Sequence, residues 1–367
     1  IERFQALCSA VCVLGEITPR ALDTISGMGE QMSVRILAAY LRQIGHAAEA
    51  VDATRLIVTD DHFQQATPIP ALTREMTTAA LGPMLKKGTI PIVTGFIAST
   101  IGGLTTTLGR GGSDFSAAIL GQALGAEEVW IWTDVDGVMS ADPRLVPDAK
   151  SLPELTYREV SELAYYGAKV LHPKTMRPCV ENGIPLRIKN TFNPDHPGTV
   201  IVEEAEASNG GFKAVTAIKD VSMITVEGKG MIGVPGIAAR TFGAVARINV
   251  SVLLITQASS EQSICFIVPE EAVDSVIAGL EEEFSNELVR RDIERIWAAP
   301  SVAILTIVGA GIQRISGIAG RVFSALGDNG VNIIAIAQGS SECSISVVVE
   351  ADDVAAAVGN VHRLIAD

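Results

Sequence analysis

The sequence predicts an α/β protein in two parts: a mostly parallel sheet covered by helices, followed by a duplicated small α+β unit. Over roughly the first two hundred residues, strand-like apolar runs alternate with helical patterns, the arrangement of parallel strands covered on both faces. From Val221 and again from Val302 the chain repeats itself without a gap, at an offset of 81 residues (302 − 221), with nineteen of forty-eight positions identical. The composition agrees. Apolar residues make up 48% but aromatics only 5%, with 34 glycines, as suits layers packed through small side chains. At 367 residues, two or three domains are expected.

The elements follow in order. "EQMSVRILAAYL" places Met32, Ile36, Leu37 and Leu41 at helical spacing, with Gly45 closing the helix and Glu30 at its start. "AEAVDA" and "RLIVTD" read as short strands. "TREMTTAALGPMLKKG" reads as a helix ending at Gly88, and "TIPIVTGFI" as one buried strand. The glycine bend "TLGRGGSD" opens a helix over Asp114 to Leu124. "EVWIWTDVDGV" is a further buried strand, "TYREVSELAYYGAKVL" a helix, and "IPLRIKNT" a last strand before the turn-rich "FNPDHPGT". The polar stretch "EEAEASNGG" reads as a linker. Each repeat then reads strand, glycine turn, helix, strand, strand, helix, and two such units can pair their sheets. The expected divisions are 1–202, a linker over 203–219, and repeats over 220–300 and 301–367.

A formal net charge of −14 argues against a nucleic-acid or anionic-membrane partner. No stretch approaches the roughly eighteen consecutive apolar residues of a membrane span. The five cysteines form no CxxC pair, and no secretory signal precedes them, which predicts buried thiols in a reducing cytoplasm. Cys8 and Cys12 share a helix face and are expected to pack. The chain opens on "IERFQAL", without methionine and in a helical pattern, and reads as the tail of something longer.

Several stretches carry chemistry. Gly109, Gly111 and Gly112 permit a tight bend, and the helix start at Asp114 offers free N–H groups to an anion. Arg110 adds a planar cation suited to a carboxylate or phosphate. Ser113 or Asp114 can cap the helix. Thr133 and Asp134 stand at a strand end, with Asp142 and Arg144 around the next turn, polar groups that suit a nucleotide. Lys169 is a cation of the kind that steadies a transferring phosphoryl group, whereas His172, before a proline, is expected to cap or pack. Gly228, Gly230 and Gly233 spell GxGxxG, but no acidic residue closes the next strand, so dinucleotide binding is not expected there.

Taken together, "GRGGSD", "WTDVDGV", "DPR", "YGAKVLHP" and "IKNTFNP", in that order, resemble the aspartokinase family of amino-acid kinases. The two repeats resemble paired ACT domains, and "VLLITQASSEQSI" and "IIAIAQGSSECSI" are most similar to the branch fused to homoserine dehydrogenase. The resemblance implies an amino-acid-kinase-like sheet sandwich followed by two ferredoxin-like ACT repeats. It implies transfer of the γ-phosphoryl group of MgATP to the β-carboxylate of L-aspartate, with Mg2+ arriving on ATP. Arg110 would then grip the substrate α-carboxylate and Glu30 its ammonium, with Gly111, Gly112, Ser113 and Asp114 lining the pocket. Thr133, Asp134, Met139, Arg144 and Lys169 would serve the nucleotide; Met139 stands where relatives often carry a tyrosine. Gln257 and Gln338 would contact a feedback amino acid, threonine or, in other branches, lysine. ACT pairing implies a homo-oligomer. A carboxylate is already a nucleophile at pH 7, so positioning and positive charge are what the chemistry needs.

The chain departs from the family at its front: "KFGGTS", which cradles the phosphates in relatives, is absent. The expectation is that these residues alone do not turn over, that no dehydrogenase is encoded after Asp367, and that the other available role is an amino-acid-sensing regulatory chain. A kinase acting on glutamate is disfavoured by the repeats.

Overall fold

The computed structural model describes residues 1–168, 171, 173–204, 211–257, 262–312, 315–338 and 343–366, which form two compact units. The first takes the described residues of 1–138, 153–161 and 171–204; the second takes those of 139–152, 162–168 and 211–366.

In the first unit, α1 (Glu2–Leu14) buries none of its residues, so Cys8 is only half-buried and Cys12 is exposed, against the expected packing. α2 (Pro19–Gln43) begins where Thr18 Oγ1 accepts from the Ala21 N–H and a proline occupies the first turn. Glu30 therefore lies mid-helix rather than at a helix start. The buried stripe of α2 is Asp23, Gly27, Val34 and Ala38, while Met32, Ile36 and Leu37, read as its inner face, are exposed. Close approach explains the difference. A Cβ at Gly27 would stand 2.7 Å from Ile97 Cγ2, so this face has to be small.

β1 (Ala48–Val51), β2 (Val58–Thr59), α3 (Pro70–Lys86) and β3 (Ile90–Val93) follow, with β1 parallel to β3. The stretch read as one buried strand divides after β3: Phe96 turns through a left-handed φ of 64° into β4 (Ile97–Thr100), which joins another sheet. β4 lies parallel to β2 and antiparallel to β5 (Thr105–Thr107). Next come α4 (Gly112–Leu124), β6 (Val129–Thr133), β7 (Glu154–Thr156), α5 (Tyr157–Tyr165), α6 (Pro173–Val180), β8 (Leu186–Asn190) and β9 (Thr199–Val202). The last four strands form a sheet in the order β6-β8-β9-β7, with β6–β8 and β7–β9 parallel and β8–β9 antiparallel. β6 is buried on one face only, Val129 and Ile131 pointing inward and Trp130 and Trp132 lying 47% and 46% exposed. α5 stops at Tyr165, and Gly167 turns the chain at φ 95°, so the helix is shorter than its pattern suggested.

The second unit contains β10 (Ala214–Glu227), α7 (Ile237–Arg247), β11 (Leu254–Gln257), β12 (Ser263–Pro269), α8 (Val273–Glu283), α9 (Ser285–Arg290), β13 (Arg295–Val308), α10 (Ile318–Gly327), β14 (Ala335–Ala337), β15 (Ser344–Glu350) and α11 (Val354–Ala366). Both copies show the expected order of elements, and their strands join in one antiparallel sheet, β11-β12-β10-β13-β15-β14. β10 and β13, fourteen residues each, pair along their lengths. Val221–Glu227 pairs with Val302–Arg295 in the first repeat, and Ala214–Ile218 with Val308–Ile304 in the second. β10 thus starts inside the stretch read as linker, of which 205–210 lies outside the described residues.

Each repeat packs its own helices on its own part of the sheet. The first core gathers Phe266, Phe284, Val276 and Leu280; the second gathers Ile307, Val322, Val347 and Val358, joined by Ala141 and Val146 from the 139–152 segment. Gly236 and Gly317 begin α7 and α10 at left-handed φ angles of 92° and 80°. Among the described residues no helix is long and apolar enough to cross a membrane.

Candidate active site

The glycine bend is held from three sides before α4 begins. Behind it, the buried Asp23 carboxylate accepts from the Thr107 N–H (3.0 Å), Thr107 Oγ1 (2.9 Å) and the Gln64 N–H (2.9 Å). On one side a Cβ at Gly109 (φ 78°) would lie 2.9 Å from the Gln64 carbonyl. On the other, a Cβ at Gly112 would lie 2.7 Å from the Phe96 ring, and one at Gly95 would lie 2.9 Å from Ser113 Oγ. Glycine is therefore required at 109 by a backbone clash and a positive φ, while at 112 and 95 a Cβ would displace the Phe96 ring and the Ser113 side chain.

α4 starts from Gly111 (φ 69°) with no side-chain cap, so neither Ser113 nor Asp114 takes the capping role expected of them. An uncapped first turn leaves N–H groups pointing out of the helix for an anion. Arg110 and Ser113 are exposed beside it, and burial raises the Asp114 carboxyl above its usual pKa. Glu30 Oε2 accepts from the Gly95 N–H at 3.3 Å. Gly95 thus links Glu30 to Ser113, and the structure brings a carboxylate to a bend that also carries a free-standing guanidinium and a helix N-terminus.

A second group gathers at the carboxyl end of β6. Thr133 Oγ1 donates to Asp134 Oδ1 (3.1 Å), and the Thr133 carbonyl accepts from the Thr191 N–H (2.8 Å). Asp136 Oδ1 receives the amides of Asn190 (2.9 Å) and Asn193 (3.1 Å), and the Asn190 hydrogen bond holds its carboxyl below the usual range. The 190–193 turn, with Phe192 84% exposed, is thereby fixed beside Thr133 and Asp134. Sequence reading missed Asp136, Asn190 and Asn193 as partners. The signal was there in two turn-forming runs, "TDVDG" and "KNTFNP", but their pairing is a matter of parallel register between β6 and β8.

Met139 and Arg144 belong to the second unit. Met139 bridges to Ser151 across a hairpin-like turn, and the exposed Arg144 clamps Asp142 at 2.6–3.1 Å. Lys169 and His172 lie outside the described residues.

In the repeats, the GxGxxG run has a packing explanation. A Cβ at Gly228 would sit 2.3 Å from the Asp292 carbonyl oxygen, and one at Gly230 2.4 Å from Asp292 Cα. Gln257 and Gln338 stand exposed at equivalent ends of the two outer strands, β11 and β14. Identical residues do not always share a role: Arg240 pairs with Glu283 and Glu287, each at 2.7 Å, whereas Arg321 stacks on the Phe212 ring at 5.8 Å.

Residues 5–190 match the amino acid kinase family, and residues 224–284 and 305–364 each match the ACT domain. The fold superposes on E. coli aspartokinase III in complex with aspartate and ADP (R-state), with a TM-score of 0.78 and 31% identity, covering 100% of this chain and 80% of that one. The chain belongs to the aspartokinase family. A second structure of E. coli aspartokinase III, in complex with lysine and aspartate (T-state), superposes with a TM-score of 0.80 at 32% identity, covering 100% of this chain and 81% of that one. The bifunctional aspartokinase/homoserine dehydrogenase of Haemophilus influenzae is 39% identical over 98% of this aspartokinase-family chain and 44% of its own length. The chain thus spans less than half of that bifunctional relative.

Proposed function

We propose that this chain carries an aspartate kinase activity: transfer of the γ-phosphoryl group of MgATP to the β-carboxylate of L-aspartate, giving 4-phospho-L-aspartate, the entry step to threonine, lysine and methionine. One observation carries the reading. Glu30, Gly95, the 109–113 bend and Arg110 set a carboxylate beside an uncapped helix N-terminus and an arginine. That is the complement of an α-amino acid, whose ammonium and carboxylate need opposite partners at fixed spacing. In this reading Arg110 and the first-turn amides of Ser113 and Asp114 take the α-carboxylate, Gly112 lines the pocket with its own N–H turned to the Gly109 carbonyl at 3.0 Å, and Glu30 takes the ammonium. The β-carboxylate is left as nucleophile. The E. coli relative captured with aspartate and ADP supports the substrate pair.

The nucleotide is assigned to Thr133 and Asp134; Met139, Arg144 and Lys169 keep the nucleotide role that the family resemblance implies. Mg2+ is assigned to the ATP phosphates rather than to a dedicated protein cage. Asp134 and Asp136 are the residues that would hold it, and bound there it would offset phosphate charge. The chain's own contribution is to align two anions and to keep the 190–193 turn rigid through Asp136. Feedback is assigned to threonine at Gln257 and Gln338, with the chain divided at 202, 219 and 300, acting in the cytoplasm as a homo-oligomer joined through its ACT repeats.

The test is an aspartate- and ATP-dependent hydroxamate assay on the full natural protein, with Glu30→Gln and Arg110→Ala beside it. Aspartate-specific turnover that both substitutions weaken through KM for aspartate is expected. Turnover indifferent to both, or a preference for glutamate, would overturn the assignment. Calorimetry with threonine should give binding that Gln257→Ala and Gln338→Ala remove.

A further inference from the structure

The second unit holds a cleft of about 340 Å3, within the range of small-molecule sites. Glu162, Tyr165 and Tyr166, at the end of α5, form one wall; the outer strands β11 and β14, with Ser344 and Ser346 of β15, form the rest. Glu162 is the one charged side chain in the lining. Its Oε2 accepts from Ser344 Oγ at 2.8 Å, and no lining residue is basic. The two tyrosine rings meet edge to face, centroids 5.0 Å apart at 84°. Tyr165 donates to the Leu253 carbonyl at 3.4 Å, and burial holds the Tyr166 hydroxyl above its ordinary pKa.

A largely apolar cleft with a single carboxylate and two tyrosines in its wall is the complement of a cation on an apolar body. An anion is repelled by Glu162, a wholly apolar guest leaves that carboxylate without a counter-charge, and an ammonium gains an ion pair beside aromatic side chains. We propose that this cleft is a binding site for a small organic ammonium with a branched apolar body. It is distinct from the site assigned to the glutamines, because neither Gln257 nor Gln338 lines it.

The test titrates the full chain calorimetrically with 3-methylbutylammonium chloride and, as its uncharged match, 3-methylbutan-1-ol. Saturable ammonium binding about tenfold or more tighter than the alcohol is expected, from the carboxylate and aromatic contacts of the cleft. Glu162→Gln should erase that preference, Ala337→Phe should abolish both affinities by filling the cleft, and Ser344→Ala should retain ammonium binding. Gln257→Ala with Gln338→Ala should change neither. Absence of saturable binding to the unaltered chain, equal affinity for the two probes, or loss of binding in the double glutamine variant would overturn the proposal. The comparison of probes on the unaltered chain decides it even where a variant fails to fold.

Discussion

Arg110 leaves the glycine bend exposed, in a protein with fourteen more acidic than basic side chains (42 − 28). If it reads a carboxylate, its planar fork matters as well as its charge. Arg110→Ala is predicted to raise KM for aspartate about tenfold or more, and Arg110→Lys to recover little of it, as steady-state kinetics would register. Asp23 acts differently, through the fold behind the bend. Its carboxylate is 1% exposed and accepts from two backbone N–H groups and one hydroxyl, so Asp23→Ala strands buried donors. A loss of about 3 kcal/mol is expected, read as a lower urea midpoint. Neither Asp23 nor the Asp136–Asn190–Asn193 group was legible in the sequence. Their partners lie 41 to 84 and 54 to 57 positions away, and only the folded register brings them together. The bend at Gly109 and Gly111 and the helix start after it were legible because their signal is local, whereas Glu30, read at a helix start, lies in the middle of α2.

At the level of elements, helices and long strands announced themselves, while α2 shows where pattern misleads. Met32, Ile36 and Leu37 are exposed, and the buried stripe runs instead through Gly27, Val34 and Ala38, with Gly27 against Ile97. β7 and β9, three and four residues long, are too short to carry a periodic signal. The glycines of the first repeat make a test of packing against phosphate binding. Gly230→Ala would push a methyl group into the Asp292 backbone, so it should lower the thermal midpoint while leaving nucleotide affinity unchanged. α11 offers a pH test. His362 lies 2.8 Å from Ser140 Oγ, and desolvation, together with nearby Lys150 and against Asp148, lowers its pKa. The folded state keeps the imidazole neutral, so the unfolded chain takes up its proton at higher pH. Stability from this residue is full above about pH 6.5 and is lost as pH falls below it. Urea midpoints of the full chain should therefore decline on acidification, and His362→Gln should flatten that decline.

For the molecule as a whole, the duplication in sequence is not a simple tandem in space. The second repeat takes one strand, Ala214–Ile218, from chain that precedes the first, and it buries Ala141 and Val146 from earlier still. A fragment of residues 220–367 lacks all of these, so it should bind a hydrophobic dye and melt broadly, whereas the full chain should not; dye fluorescence during thermal unfolding reads this directly. The shared strands β10 and β13 also constrain how such proteins can be recombined. A crossover placed at the sequence repeat boundary near residue 301 would carry off three strands of the second repeat and leave its fourth behind in the donor. Exchange of effector specificity between relatives would succeed as a transfer of both repeats, cut ahead of Ala214, or not at all.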